Sequence, residues 1–224
     1  MGRFLEETMS NITDYLVEKS QGFLTISPEP SDKRYSMFNT GSVEVETAEF
    51  LYAWVKLTKP DYILETGTHY GISALYMGQA LQENKNGTIL SVETDHIYLA
   101  EARQLWGIVG LLGNPIGSQQ ISSLEMKSPQ PYDLIFLDTE PDIRFKEAIK
   151  FYPDLKPGGY MFIHDLHRHL SQEPNDEHGF GWPFGAIPDL LRRLLVEDAL
   201  RAFHFATPRG LTGFYKPAEG DFHA

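Results

Sequence analysis

The 224-residue chain contains no cysteine. This absence excludes disulfide bonds, thiolate metal sites and cysteine nucleophiles, and it agrees with a reducing compartment. Long apolar runs are missing too, since no stretch approaches the ~18 consecutive apolar residues of a membrane-spanning helix. Residues 1–16 are punctuated by acids and lack the continuous apolar core of a signal peptide. We therefore expect a cytoplasmic location and no membrane partner.

Positive charge is scarce as well. The chain carries 19 lysine and arginine residues against 31 aspartate and glutamate residues, which gives a formal net charge of −12. A field of this sign repels nucleic-acid phosphates. The densest basic group, Arg192, Arg193 and Arg201, lies at a predicted helix and forms no extended patch. We therefore expect no nucleic-acid partner.

Strand-like and helix-like segments alternate from residue 60 onward. Apolar runs predict buried strands over 62–67, 88–93, 132–138 and 160–165, the last after a turn at 156–159. Amphipathic segments predict helices over 71–84, 96–109 and 142–152. A weaker pattern over 113–121 predicts a short strand that ends near Ile116. This alternation predicts right-handed crossovers, and therefore an α/β, Rossmann-like doubly wound sheet that is mostly parallel, with helices on both faces.

The two ends of the chain depart from this alternation. A helix is predicted over 188–200, and two strand-like runs around a short turn then predict an antiparallel pair that closes the sheet. Residues 1–59, with an amphipathic stretch over 43–57, predict a helical N-terminal cap. The Pro/Gly-rich, aromatic stretch 170–188 predicts a lid over an acceptor or a loop anchored to the core. We expect a single domain over 1–224.

Acidic side chains end successive predicted strands. They are Glu65, Glu93, Asp138 and, next to His164, Asp165. Ligands of open α/β sheets bind outside the carboxyl ends of the strands. An unpaired carboxylate is costly to bury, so these side chains should face a polar ligand cleft.

The loop ETGTHYGIS follows the first of these strands. Gly67 permits a tight turn, and Gly71 lets the backbone approach a ligand at a helix N-terminus. A nicotinamide-dependent oxidoreductase would need a third, phosphate-binding glycine, which is missing. Glu93 can accept two hydroxyl donors from a ribose. Together these features predict a cofactor with an adenosine and a cationic amino-acid tail, although an ordinary strand–helix turn and a solvated carboxylate are the structural alternatives.

Four segments, ETGTHYGIS, SVETD, PYDLIFLD and LKPGGYMFIHD, resemble successive motifs of the class I S-adenosylmethionine-dependent methyltransferases. The resemblance covers roughly residues 43–165, and its sub-pattern is similar to the small-molecule O-methyltransferases of the catechol and caffeoyl-CoA kind. It implies S-adenosyl-L-methionine as the cofactor. It also implies a small-molecule acceptor, methylated at a hydroxyl oxygen.

The resemblance implies a role for each cofactor-binding residue. Glu65 would orient the amino group of the cofactor, and Ser73 would meet its carboxylate. Glu93 would bind the ribose hydroxyls, and Ser118, within the segment 117–119, would lie at the adenine. The remaining implied contacts are backbone contacts from Gly67, Thr68 and Gly71, and a place for Asp138 beside the methionine moiety and the acceptor.

The metal-dependent members of this group hold a divalent cation with an Asp at the fourth strand end and an Asp-Asn pair after the fifth. Here Asp138 and Asp165 are present, but Leu166 replaces the third ligand, and Pro141 stands where those enzymes place a lysine. We therefore expect no metal. The alternative is a metal-dependent O-methyltransferase that uses Asp138 and Asp165, with His167 as a substitute ligand.

Without a metal, a histidine near the methyl group is the natural general base. We favour His167 as the base and Asp165 as its orienting partner or a substrate contact, with His164 second because strand alternation points it away from Asp165. Histidines at the cleft lip or surface are the alternative. A non-catalytic protein that binds an adenosyl cofactor is a further alternative, and the apolar N-terminal helices offer an interface for a homodimer.

Overall fold

The computed structural model describes residues 12–28, 36–38, 42–165, 189–205, 207 and 209–221. In chain order the elements are α1 (Ile12–Lys19), β1 (Ser27–Pro28), β2 (Ser36–Met37), α2 (Val45–Thr58), β3 (Tyr62–Thr66), α3 (Ile72–Asn84), β4 (Thr88–Glu93), α4 (His96–Ile108), β5 (Ile116–Gln120), β6 (Tyr132–Leu137), α5 (Pro141–Phe151), β7 (Leu155–His164), α6 (Asp189–Val196), β8 (Arg201–Phe205) and β9 (Leu211–Tyr215). None of the helices in these ranges is long and apolar enough to cross a membrane.

Seven strands form one sheet in the order β5-β4-β3-β6-β7-β9-β8. The first five strands of this order pair in parallel, and β9 pairs antiparallel with both β7 and β8. Within this sheet the chain first forms β3, then adds β4 and β5 on one side of it, and then adds β6 on the other side. The predicted doubly wound sheet with an antiparallel C-terminal end is therefore confirmed.

Alternate residues of each central strand feed two separate cores. Ile63 of β3 and Phe136 of β6 pack with side chains of α2, α3 and α4 on one face. Leu64 and Ile135 point the other way and pack with side chains of α5 and α6. Because successive side chains of a strand point to opposite faces, strands buried on both faces need the continuous apolar runs seen in the sequence.

The N-terminal cap predicted over 1–59 is helical at α1 and α2. Leu51 and Val55 of α2 are buried in the same core as α3, and the Asn84 side chain donates to the Val55 carbonyl over 2.9 Å. The assignment of 1–224 to one domain stays a prediction. The lid predicted over 170–188 lies outside the described residues.

Two predicted elements differ from the structure. The third strand begins at Ile116 instead of ending there, because β5 is an edge strand whose last residues are polar and exposed, so its apolar signal stops after Ile116. The turn predicted at 156–159 is an irregularity inside the continuous strand β7. Its register with β6 passes from Tyr132 opposite Leu155 directly to Leu134 opposite Tyr160.

The helix predicted over 188–200 is shorter in the structure, since α6 ends at Val196. The residues after Val196 lead into β8. The helices predicted over 71–84, 96–109 and 142–152 are confirmed to within one residue at each end. α4 also has an N-cap at Asp95, whose carboxylate accepts from the Ile97 backbone N–H over 2.7 Å.

Candidate active site

A cavity of about 480 Å³ opens at the carboxyl ends of the central strands. Its walls come from the turns that follow β3, β4, β5 and β6, namely residues 67–70, 93–95, 121–123 and 138–140. β3 and β6 are neighbours whose chains continue in opposite directions across the sheet. The cavity therefore lies at the switch in strand order, where open α/β sheets bind their ligands.

Gly67 holds the turn after β3 against the end of β6. Its φ of +81° lies in the left-handed region, and an added Cβ would be 2.3 Å from the Asp138 carbonyl oxygen. The Asp138 N–H donates to the Thr66 carbonyl over 3.0 Å, and the Gly67 N–H donates to the Val92 carbonyl over 3.0 Å. Three strand ends are thereby joined by backbone contacts that leave no room for a side chain.

Gly71 lies behind the cavity wall, where it packs against α4. Its φ is +76°, and an added Cβ would be 2.7 Å from both the Ala102 Cβ and the Trp106 ring. The Trp106 Nε1–H donates to the Gly71 carbonyl over 2.9 Å. Gly71 does not line the cavity, so the backbone contact predicted for it is replaced by packing of α3 against α4.

Glu65 is fully buried and does not reach the cavity, so the expectation that it faces the cleft is wrong. The Ser73 hydroxyl donates to its Oε1 over 2.5 Å, and the Ser91 hydroxyl donates to its Oε2. Burial outweighs these hydrogen bonds and raises the pKa of Glu65 to about 8. Glu65 is therefore protonated at neutral pH. Ser73, which lines the cavity, connects it to any ligand there.

This raised pKa predicts a pH-dependent stability. Between about pH 4.5, the ordinary pKa of a glutamate, and about pH 8, only the folded state keeps the Glu65 proton. The free energy of unfolding should therefore fall as pH rises through this window. Glu65→Gln should remove that part of the slope in urea denaturation between pH 5 and 8, whereas Glu18→Gln on the exposed face of α1 should not. An unchanged slope in Glu65→Gln would show that Glu65 is ionised in the folded protein.

Glu93 is a half-buried carboxylate fixed at the cavity wall. Its Oε1 accepts the backbone N–H of Thr94 over 2.8 Å and that of Asp95 over 3.0 Å. Its Oε2 accepts the backbone N–H of His69 over 2.9 Å. The Thr94 hydroxyl also donates to Oε1 over 3.3 Å, so these donors hold the carboxylate still and Oε2 keeps acceptor capacity for a ligand.

Three aromatic rings beside Glu93 were not predicted from the sequence as a group. The His69 ring centroid is 4.2 Å from that of Tyr70 and 4.3 Å from that of Tyr98, and all three residues line the cavity. Burial lowers the pKa of His69 despite the acids around it. Its imidazole is therefore neutral at neutral pH, and this wall adds apolar surface without adding positive charge.

Ser118 lies away from the cavity, in the middle of β5. Its hydroxyl accepts the Arg103 Nε–H over 2.9 Å, and the lining comes from Ile121, Ser122 and Ser123 instead. The adenine contact predicted for Ser118 is not supported for a simple reason. The strand was expected to end where it begins, so residues 117–119 lie inside the strand and not in the loop after it.

His164 is fully buried in a network of carboxylates. Its Nε2 is 2.7 Å from the Glu44 carboxylate, and its Nδ1 is 2.9 Å from Asp138 and 3.6 Å from Asp165. Burial alone would lower the pKa of His164, but the charges of these three acids outweigh it and raise the pKa to about 10. His164 is therefore an imidazolium at neutral pH. Both of its ring nitrogens face carboxylates, so the geometry does not support His164 as a general base.

Asp165 belongs to the same network as His164, contrary to the expected alternation, because its φ of +55° ends the strand geometry. Its Oδ2 accepts from Arg144 over 3.0 Å and from Arg209 over 2.7 Å. Burial would raise the pKa of Asp165, but His164 and the two arginines keep it below its ordinary value. His167 lies outside the described residues, so its role as the base, oriented by Asp165, stays a prediction.

Three members of this network were missed in the sequence. Glu44 precedes α2, Arg144 lies in α5, and Arg209 lies in the turn between β8 and β9. Arg209 stood in a predicted turn near the strand ends, which was a usable signal. Glu44 gave none, since it meets a partner 120 residues away.

Among the residues that the structure describes, the side chains at this site do not fit a divalent metal ion. Glu44, His164 and Asp165 offer ligand atoms within 4.8 Å of one another. However, both ring nitrogens of His164 lie within hydrogen-bond distance of carboxylates, and these acids raise its pKa to about 10, whereas a metal ligand must be a neutral imidazole. Asp138 and Asp165, the pair of the metal-dependent alternative, share one guanidinium group.

Comparison with known proteins agrees with this architecture. A family model described as a methyltransferase domain matches residues 64–166. A putative O-methyltransferase of Mycobacterium sp. (strain JLS) is 26% identical over 129 residues, which are 55% of this chain and 57% of that relative. One of Mycobacterium tuberculosis is 25% identical over 137 residues, which are 59% of each chain. The chain thus matches less than two thirds of the length of these relatives.

Solved structures share the fold over most of the chain. An S-adenosylhomocysteine-bound methyltransferase of Podospora anserina has a TM-score of 0.66 at 19% identity and covers 91% of this chain and 88% of its own. An O-methyltransferase of Bacillus cereus, in complex with S-adenosylhomocysteine, has a TM-score of 0.63 at 16% identity, with 95% and 96% covered. The methyltransferase-domain model therefore matches residues 64–166, and the chain has the fold of these solved methyltransferases.

Proposed function

We propose that this chain transfers a methyl group from S-adenosyl-L-methionine to a hydroxyl oxygen of a small-molecule acceptor. The observation that carries the proposal is the cavity at the strand switch, with the fixed Glu93 carboxylate on one wall and Asp138 on another. The names of the relatives, O-methyltransferases, and the cofactor products bound in the structural neighbours support it.

The cavity residues fit this cofactor. The cavity volume of about 480 Å³ lies in the range of small-molecule sites. The Glu93 carboxylate, held by three backbone N–H groups, suits a pair of ribose hydroxyls. The Gly67–Thr68 backbone and the Ser73 hydroxyl suit the methionine part, and Asp138 suits its ammonium group. Ile121–Ser123 and the ring of Tyr98 offer surfaces for the adenine.

The chain's own contribution to the reaction is positioning and proton removal. The bound cofactor supplies a sulfonium, which activates its methyl group for transfer. Asp138, Asp165 and Arg209 line the side of the cavity away from Glu93, where the acceptor would be held in line with the methyl group. An acceptor hydroxyl must also lose a proton. Since His164 is buried between carboxylates, we assign this step to His167.

Cofactor binding is the first test. S-adenosylmethionine and S-adenosylhomocysteine should bind with micromolar affinity by calorimetry, with or without EDTA, and NADH should not bind. Glu93→Ala should weaken both adenosyl compounds by about 100-fold, since it removes the acceptor of two charge-assisted hydrogen bonds. Binding of NADH in their place would favour an oxidoreductase.

Methyl transfer is the second test, in a screen of phenolic and other hydroxylated acceptors. His167→Ala should lower turnover by about 10²-fold or more while leaving the affinity for S-adenosylhomocysteine unchanged. His169→Ala, two residues away, is the matched control and should keep most of the turnover. Full activity in His167→Ala would remove this residue from the mechanism. Tight cofactor binding with no transfer to any acceptor would favour the non-catalytic alternative.

A further inference from the structure

Arg144 of α5 is buried beneath the acceptor side of the cavity, with 6% of its surface exposed. Its Nη2 lies 3.2 Å from Asp138 Oδ1 and 3.0 Å from Asp165 Oδ2. Its Nη1 donates to the His164 carbonyl over 2.7 Å, and its Nε donates to the Thr139 carbonyl. Every nitrogen of the guanidinium group therefore has an acceptor, and one nitrogen bridges the two strand-end carboxylates.

The network around Arg144 brings three carboxylates together with two guanidinium groups and one imidazole. Its carboxylates are Glu44, Asp138 and Asp165, and the groups that face them are Arg144, Arg209 and the His164 ring. Carboxylates that end neighbouring strands repel each other in a buried site unless a cation lies between them. Arg144 donates hydrogen bonds to both Asp138 and Asp165, whereas His164 Nδ1 is 2.9 Å from Asp138 and 3.6 Å from Asp165.

A divalent metal ion would need the oxygens that Arg144 already uses. Magnesium binds carboxylate oxygens at about 2.0–2.1 Å in octahedral geometry, which the intervening guanidinium prevents. A guanidinium also keeps its positive charge throughout the pH range of proteins. The cation between the two aspartates is therefore a permanent part of the chain.

We propose that Arg144 is the built-in cation of the Asp138–Asp165 pair, and that it positions both carboxylates at the cavity in place of a divalent metal ion. Arg144 is a positioning residue, since it acts through Asp138 and Asp165, which line the cavity with it. The claim about the cation stands on the geometry alone. Only its consequence for the acceptor depends on the proposed function.

The test exchanges one cation for another. In the wild-type protein, 5 mM MnCl₂ or EDTA should leave the melting temperature unchanged, and electron paramagnetic resonance should detect no bound Mn²⁺. Arg144→Ala should melt about 5 °C or more below wild type, because it leaves two buried carboxylates without their shared cation. This variant should bind one Mn²⁺ and regain at least half of the lost melting temperature when Mn²⁺ is added.

Two controls make this result specific. The double variant Arg144→Ala, Asp165→Asn should lose the Mn²⁺ site, and Arg201→Ala, at an ion pair on the surface, should not create one. Arg144→Gln is read by the same criteria if Arg144→Ala does not fold, and the wild-type titration decides alone if neither folds. Mn²⁺ bound to the wild-type protein below 1 mM, or a folded Arg144 variant that gains no Mn²⁺ site, would overturn the proposal. Neither readout depends on methyl transfer.

Discussion

Gly67→Ala should destabilise the protein and distort the turn at the cavity wall. The new methyl group would lie 2.3 Å from the Asp138 carbonyl oxygen and 2.9 Å from the Thr139 nitrogen, at a φ of +81° that alanine adopts only with strain. Both obstacles are backbone atoms, so no side-chain rotation can relieve them. We expect a loss of about 3 kcal/mol or more of stability, and a melting temperature lower by about 6–12 °C. Affinity for S-adenosylhomocysteine should fall by more than about 100-fold, as measured by calorimetry.

Two other glycines separate the causes of this effect. Gly110 has a φ of +74° but nothing within 4 Å of an added Cβ, so Gly110→Ala should cost only the strain, about 1 kcal/mol. Gly107, in α4, has neither a positive φ nor a nearby atom, and Gly107→Ala should be neutral or stabilise by up to about 1 kcal/mol. A Gly67→Ala variant no less stable than Gly110→Ala would mean that the turn and β6 are not in contact in solution.

His164→Ala should cost about 3–5 kcal/mol, because it leaves Glu44 and Asp138 buried without their shared cation. The loss should also depend on pH. His164 has a pKa of about 10 in the folded protein and an ordinary value of 6.5, so its stabilising contribution is complete below pH 6.5 and is lost as pH rises through 10. Urea denaturation at several pH values between 6 and 10 should show a falling free energy of unfolding in wild type and a flatter profile in the variant.

His96→Ala is the matched control for this experiment, since His96 is exposed at the start of α4. It should leave the pH profile of wild type unchanged. If His164→Ala keeps the wild-type profile as well, His164 is neutral in the folded protein. It would then return as a candidate for the general base.

The sequence predicted the elements whose burial leaves a clear apolar pattern. β3 and β6 are buried on both faces, so their apolar runs are continuous, and the helix signals around them were equally clear. β5 was misplaced because an edge strand with exposed glutamines carries little apolar signal. That one error also moved the predicted adenine contact onto Ser118. The β7 irregularity was taken for a turn because Gly158 and Gly159 are typical of both.

The site was predictable where function lies at strand ends and unpredictable where it depends on long-range partners. Glu93 and Asp138 line the cavity as their positions predicted. Glu65 also lies near the end of its strand, yet its carboxyl group is buried against the hydroxyls of Ser73 and Ser91. No local sequence pattern predicts these two contacts. The pKa of His164 depends in part on Glu44, which lies 120 residues away in the chain. The sequence alone therefore could not predict the charge of His164.

The ion network around His164 also constrains the order in which the protein takes shape. Glu44 meets His164 across 120 residues of chain, and Arg209 bonds to the Ser42 carbonyl across 167. Closing such long loops is slow, because the entropy is lost before the contacts form. During synthesis the segment before α2 therefore cannot form these two contacts until the ribosome has made His164 and Arg209. The contacts that fix this early segment are then among the last to form.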